Sequence, residues 1–131
     1  MIKIAARFLI KGKEIYLPLI QNPSSDQIKQ YIDQFSKGKG HLGVYSDNED
    51  IEKLDISVEN GYFYFQLIDN RSEWGFREFV DPSVDLANNI VYEIDGFNCT
   101  KATITNDVGI VLRIVNEFVN TNDVSIELMP M

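Results

Sequence analysis

The fold is decided by one aromatic stretch near the middle of the chain, Gly61-Tyr62-Phe63-Tyr64-Phe65-Gln66-Leu67-Ile68-Asp69. Successive side chains of an extended chain point to opposite faces, so Phe63, Phe65 and Leu67 share one face. Bulky side chains also occupy the other face. We therefore predict a central strand that is covered, at least in part, on both sides, with the phenylalanine face forming core beneath the second of two helices.

Strand signals flank this stretch on both sides. Asn60-Gly61 immediately precedes it, and this dipeptide is the strongest short-range signal for a hairpin turn, which pairs the stretch with residues 54–59. Alternating or β-prone composition predicts further strands over 2–10, 14–19, 42–46, 74–80, 90–94, 97–104 and 124–128.

Two helices interrupt the strands. Ser24 and Gln27 fit an S-x-x-Q capping box, which starts a helix over about 25–37 with one narrow apolar stripe. A second helix over about 106–120 has the reverse pattern, a narrow polar stripe on a mostly apolar cylinder. Because strands outnumber helices, we predict a single α+β domain over residues 1–131, a mostly antiparallel sheet of about six to eight strands with both helices packed on it.

The charge of the chain is negative and unevenly distributed. The net charge is −8. Residues 1–39 hold seven basic and three acidic residues, which gives +4, and residues 40–131 hold five basic and seventeen acidic residues, which gives −12. An acidic body repels phosphate, so nucleic acid is not expected as a partner. The acidity either keeps the protein in solution or steers it toward a basic partner.

The compartment is predicted from what the sequence lacks. A single cysteine, Cys99, excludes an intramolecular disulfide. The N-terminal residues do not read as a signal peptide, and no apolar run approaches the ~20 residues that a membrane-spanning helix needs. We therefore expect a cytoplasmic protein that does not enter a membrane.

No motif in the sequence predicts catalysis, a cofactor or a metal site. Residues 38–43 match G-x-G-x-x-G, but a helix precedes them and a strand follows, which reverses the order that binds a dinucleotide. We interpret them as a helix end and a flexible connector. His41 is the only histidine, so a multi-histidine metal site is excluded, and its place in the connector predicts exposure.

The candidate partner-binding residues are acidic or aromatic. The densest acidic run lacks the alternation and central glycine of a calcium loop, so it is either a solvated loop or a patch that faces a basic partner. Large aromatic side chains beside polar breaks either fill a core or anchor a partner. These criteria select Asp47, Glu49, Asp50, Glu52, Tyr62, Tyr64 and Trp74.

The C-terminal third resembles immunity proteins of bacterial polymorphic-toxin and contact-dependent inhibition systems. In those proteins a late helix ends in a Glu-Phe-like pair before a closing strand. The segments that carry the resemblance are Tyr92-Glu93-Ile94-Asp95-Gly96, Thr103-Ile104-Thr105-Asn106-Asp107 and Asn116-Glu117-Phe118-Val119-Asn120-Thr121. The resemblance implies a non-catalytic protein that binds a cognate toxin, often a basic enzyme, and blocks its active site.

Two other classes of function remain open at this point. A small enzyme or small-molecule-binding domain would use a pocket between helix and sheet, which Asp69, Glu73 or Glu78 near Trp74 would line. A homo-oligomeric structural module would use the second helix, because this helix has more apolar surface than one sheet face easily covers. The expected contact in that case is a homodimer.

Overall fold

The computed structural model describes all residues from Met1 to Met131 and has the predicted α+β architecture. Nine strands and two helices follow one another, with a 3-10 turn at Lys101–Thr103 before the last strand. The elements are β1 (Lys3–Ile10), β2 (Lys13–Gln21), α1 (Ser25–Phe35), β3 (Lys39–Tyr45), β4 (Ile51–Glu59), β5 (Tyr62–Asp69), β6 (Phe76–Glu78), β7 (Val91–Ile94), β8 (Phe97–Thr100), β9 (Ile104–Thr105) and α2 (Val108–Thr121).

The main sheet has seven strands in the order β2-β1-β3-β4-β5-β6, with β9 also pairing with β5. Every strand pair is antiparallel. The predicted hairpin is confirmed: Glu59 pairs with Tyr62, and Asn60 and Gly61 form the turn with φ of 54° and 78°. Positive φ at both central residues gives the turn the twist that adjacent strands need.

The predicted core face of β5 is confirmed. Phe63, Phe65 and Leu67 have no solvent exposure, and they lie on the face of the sheet that carries both helices. Phe35 at the end of α1 contacts Phe63 with ring centroids 6.1 Å apart. The buried side of α2 closes the same core through Val111, Ile114, Val115 and Phe118.

The sheet centre differs from the prediction. It lies between β3 and β4, whereas β5 stands next to an edge formed by the short strands β6 and β9. Both faces of β5 are nevertheless covered, because the β7–β8 hairpin packs on its second face. Tyr64, Ile94, Cys99 and Ile104 form a small buried cluster there.

The prediction of a flexible connector over residues 38–43 is wrong. Lys39–Tyr45 forms strand β3, which hydrogen-bonds to β1 on one side and β4 on the other. The glycine at position 40 is required for steric reasons and does not make the segment flexible. Gly40 lies across from Phe8, and a side chain at this position would meet the backbone of β1. His41 is consequently half-buried on a strand instead of exposed in a loop.

The predicted closing strand over residues 124–128 is also wrong. The chain turns after α2, with Asn122 in the left-handed region at φ 57°, and residues 122–131 then fold against the end of the sheet without joining it. We call residues 122–131 the C-terminal strap. Val124, Leu128 and Met129 of the strap are buried. Their apolar side chains therefore pack against the core, although this part of the chain does not pair with a neighbouring strand.

The apolar residues of α2 divide between two degrees of burial. Val111, Ile114, Val115 and Phe118 are buried in the core, whereas Val108, Ile110, Leu112 and Val119 are half-buried at its margin. Neither helix of the fold combines the length and the apolar character required to cross a membrane.

Candidate functional site

Two loops meet at one end of the sheet and bring most of the sequence-predicted residues together. Residues 46–50 connect β3 to β4, and residues 70–75 connect β5 to β6. The side-chain amide of Asn70 donates to the carbonyl of Glu49 at 2.9 Å, and its backbone amide donates to the carbonyl of Asp50 at 2.8 Å. We call residues 46–52 and 70–75 together the acidic end.

Local hydrogen bonds fix the first loop of the acidic end. The Asn48 side chain accepts hydrogen bonds from the backbone amides of Asp50 and Ile51, at 2.8 and 3.1 Å. Such an Asx turn holds a loop in one conformation without help from the core. The exposed carboxylates of Glu49 and Asp50 form no ion pair, so their charge faces solvent.

The outer members of the acidic run are partly engaged. Asp47 accepts a hydrogen bond from the Met1 amino group at 2.7 Å, and this contact lowers the pKa of the Asp47 carboxyl. Glu52 lies 3.4 Å from the side-chain amide of Asn70. Both carboxylates remain exposed, so together with Glu49, Asp50 and Glu73 the acidic end has five carboxylates on its surface.

Trp74 projects from the second loop of the acidic end. Its side chain is 79% exposed, and Gly75 at φ 78° turns the chain directly after it. The loop is closed by hydrogen bonds from the Asp69 amide to the Gly75 carbonyl at 3.0 Å and from the Gly75 amide to the Ser72 carbonyl at 3.2 Å. The alternative role of Trp74 as a core residue is therefore excluded.

The two predicted tyrosines lie elsewhere. Tyr62 begins β5 and Asp69 ends it, so Tyr62 is about 24 Å of extended strand from the acidic end. It packs on Tyr92, with ring centroids 5.5 Å apart. Tyr64 is 6% exposed, and its hydroxyl donates to Glu78. Burial and the neighbouring Glu78 carboxylate raise the pKa of the Tyr64 hydroxyl, so this residue is a packed part of the structure.

The three carboxylates expected in a helix–sheet pocket do not converge. Asp69 is fully buried and bonds to Arg71 and Arg77, whereas Glu78 points to the opposite face and accepts from Tyr64. Hydrogen bonds from Arg71 lower the pKa of Asp69 to about 2. A carboxylate held in this way is an ion-pair partner and does not serve as a general acid near neutral pH.

A groove that the sequence analysis missed crosses the open face of the sheet, opposite the helices. Ala5 on β1 lies directly across from Gly43 on β3, and these two small residues form the floor. Tyr16, Leu19 and Tyr45 form the walls around two adjoining hollows of about 310 and 360 Å³. The sequence signal for this groove is the alternation of His41, Gly43 and Tyr45 along one face of β3. It was missed because the glycines were interpreted as part of a connector.

A compact ion cluster borders this groove. His41 Nε2 lies 3.0 Å from Asp55 Oδ1, and Lys53 Nζ lies 2.9 Å from the same oxygen, although neither contact has hydrogen-bond geometry. Burial lowers the pKa of His41, and the Asp55 carboxylate only partly opposes this effect. Lys53 also covers the Tyr45 ring at 5.1 Å. The Lys53 ammonium group and the Asp55 carboxylate therefore balance each other's charge, beside an imidazole whose burial favours its neutral form.

The fold and the loops together define a small α+β domain with one acidic, tryptophan-bearing end. Residues 2–128 match the model of a family of unknown function, DUF6911, and the chain belongs to this family. It is similar to the crystal structure of a hypothetical protein from Neisseria gonorrhoeae, with a TM-score of 0.71 and 23% identity over 95% of this chain and 90% of that chain. The likeness shows a shared fold. Comparison with curated proteins gives no match.

Proposed function

We propose that this protein is a non-catalytic protein-binding module that uses the acidic end to bind a basic protein. The observation that carries the proposal is Trp74, whose indole is 79% exposed on a closed loop beside the carboxylates of the acidic end. Tryptophan is enriched among residues that dominate binding energy, particularly where polar groups surround it and exclude water once the complex forms.

The two features of the acidic end act on different parts of binding. Burial of the Trp74 side chain removes a large apolar surface from water and slows dissociation. The carboxylates of Glu49 and Asp50 attract a basic surface and accelerate encounter, an effect that salt screens. Because hydrogen bonds already order both loops, little conformational entropy is lost when the partner arrives.

The narrower proposal is an immunity protein that blocks a basic toxin domain in the cytoplasm. Its support is the resemblance of the C-terminal third to immunity proteins, together with the net charge of −12 over residues 40–131. In this role the acidic end covers the active site of the toxin and presents no reactive group of its own.

A small-molecule-binding role is the second candidate, and the groove on the open face is the observation that favours it. Hollows of about 310 and 360 Å³ beside Tyr16 and Tyr45 suit a ligand of one or two rings. Replacing Ala5 by Phe would fill the floor of both hollows. Because Ser46 and Asp47 of the acidic end line the larger hollow, this variant is compared with Trp74→Ala to separate the groove from the acidic end.

Co-expression with the product of the neighbouring gene tests the proposal. The expected result is that the neighbouring product stops bacterial growth and that this protein restores it. Trp74→Ala should weaken the rescue, whereas Tyr16→Ala should preserve it, because Tyr16 is a 62% exposed aromatic residue on the open face. Full toxicity in the presence of the folded wild-type protein would refute the immunity role. Equal rescue by both variants would refute the acidic end as the binding surface.

A further inference from the structure

Four charged side chains form a closed ring next to the acidic end. Arg71 donates to both oxygens of Asp69 at 2.9 Å, and it also reaches Asp123 at 3.2 Å. Arg77 donates to the same two carboxylates, to Asp69 at 3.2 Å and to Asp123 at 2.8 Å. Arg71 belongs to the loop of Trp74 and Asp123 belongs to the C-terminal strap. The ring therefore joins these two segments through side chains.

Arg77 also holds the backbone of the strap. Its guanidinium donates to the carbonyl of Val124 at 2.6 Å and to the carbonyl of Met129 at 2.6 and 2.8 Å. The side chain is 1% exposed, so these bonds are shielded from water. One buried cation thus satisfies two carbonyls and two carboxylates, using the fixed fork of donors that distinguishes arginine from lysine.

Little else attaches the strap to the sheet. Beyond the end of α2, the strap has one backbone–backbone hydrogen bond to the rest of the fold. The Val80 amide donates to the Leu128 carbonyl at 3.1 Å. The remaining strap amides that are bonded stay within the strap or reach α2: Leu128 and Met129 donate to the Ser125 carbonyl, and Ser125 donates to Glu117 Oε2 at 3.0 Å. One further side-chain bond, from Ser46 Oγ to Asn122 Oδ1 at 2.9 Å, links the start of the strap to the acidic end. The apolar attachment is limited to the buried side chains of Val124, Leu128 and Met129.

We propose that the C-terminal strap opens as one unit while the seven-stranded sheet stays folded, that Arg77 is its latch, and that opening also releases the loop of Trp74. Segments with few ladder bonds open at a lower free energy than the sheet to which they attach. Once Asp123 leaves with the strap, Arg71 loses one of its two carboxylate partners, and the loop is held by Asp69 alone. The consequence for binding, that a closed strap presents an ordered Trp74, rests on the proposed function.

Native-state hydrogen exchange of the full chain in low denaturant tests the latch without any partner. The strap reporters are the amides of Val80, Leu128 and Met129, and the loop reporters are the amides of Asp69, Ser72 and Gly75. We expect all six to exchange through one opening with a weak dependence on denaturant, whereas the β3–β4 amides exchange only through global unfolding. Exchange of the strap amides with the global unfolding event would overturn the proposal.

Two variants separate the latch from ordinary packing. Arg77→Lys keeps the charge but loses the fork, and it should accelerate strap and loop exchange together by about 10- to 100-fold. The Gln27 amide, held by Ser24 at the far start of α1, should not change. Arg71→Gln removes the loop's contacts with both carboxylates while Arg77 still holds the strap, so it should accelerate the loop amides more than the strap amides. If Arg77→Lys accelerated the strap and left the loop unchanged, the coupling would be refuted. Neither result depends on the identity of a toxin, so failure of the latch and failure of the proposed function are distinguishable.

Discussion

Replacement of Gly40 by alanine tests the close contact between β1 and β3. A methyl group on Gly40 would lie 2.5 Å from Cα and 2.6 Å from Cβ of Phe8, and it would also meet the carbonyl oxygen of Arg7. These are backbone or near-backbone atoms of a paired strand, so they move only if the pairing moves. Overpacking of this kind costs about 1–3 kcal/mol and sometimes more. We expect Gly40→Ala to lower the free energy of unfolding by at least ~2 kcal/mol.

Gly43→Ala is the matched control on the same strand. The three atoms nearest to a methyl group there all belong to the Tyr45 side chain, with its hydroxyl at 2.6 Å, and this half-buried side chain lies on the open face of the sheet, where it can rotate away. Alanine also restricts the unfolded chain relative to glycine, which contributes ~0.4–1 kcal/mol of stability and offsets the cost of moving the ring. We therefore expect Gly43→Ala to stay within about 1 kcal/mol of the wild type.

Urea denaturation followed by circular dichroism measures both variants. A lower midpoint with an unchanged slope would show that Gly40→Ala alters stability without altering the unfolded state. Equal stabilities for the two variants would refute the account, because residues 38–43 would then behave as the flexible connector that the sequence predicted.

Three further changes have defined outcomes. Phe65→Ala should cost about 3–5 kcal/mol in a urea titration, because Phe65 is fully buried between the sheet and the helices; a midpoint equal to the wild type would place it outside the core. Asp69 has a folded-state pKa of about 2, below its unfolded value, so its ion pairs stabilise the fold above pH ~4, and roughly 2 kcal/mol is lost as the pH falls through 2. Asp69→Asn should remove this acid-dependent step, and an unchanged step would assign it to other carboxylates. Trp74→Ala should change the free energy of unfolding by no more than about 0.5 kcal/mol, because Trp74 is 79% exposed. A large loss of stability in a urea titration would mean that Trp74 packs against the fold.

Much of the fold followed from local sequence signals. The Asn60-Gly61 turn, the Ser24–Gln27 capping box and the core face of β5 were all predicted, and the structure confirms them. Each of these features depends on residues within a few positions of one another. The start of α2 was shifted by two residues, because Asp107 caps the helix by accepting from the Gly109 amide at 2.8 Å.

Features that depend on distant contacts were not predicted. Strand β3 is glycine-rich because Gly40 packs against Phe8, and the sequence of residues 38–43 does not contain that neighbour. The strap resembles a strand in composition, yet its carbonyls at Val124 and Met129 bind the guanidinium of Arg77, about fifty residues away along the chain. Only the folded chain shows that an arginine side chain donates the hydrogen bonds that the backbone of a neighbouring strand would otherwise donate.

The candidate site was predicted in its parts but not in its assembly. The acidic run and Trp74 were selected separately, and the hydrogen bonds of Asn70 bring them to one end of the sheet. Tyr62 and Tyr64 were selected for the same aromatic character, but β5 carries them away from that end and the β7–β8 hairpin covers Tyr64. Residue type alone does not separate an exposed aromatic side chain from a packed one.

The most direct test of the acidic end is calorimetric titration with the purified basic domain encoded by the neighbouring gene. We predict tight binding that weakens between about 0.05 and 0.3 M salt, because screening removes the attraction of the carboxylates. Trp74→Ala should weaken the Kd by about 30-fold or more, and Tyr16→Ala should leave it unchanged. Binding that is insensitive to salt and to Trp74→Ala, but is lost in Tyr16→Ala, would contradict the account and assign recognition to the open face of the sheet.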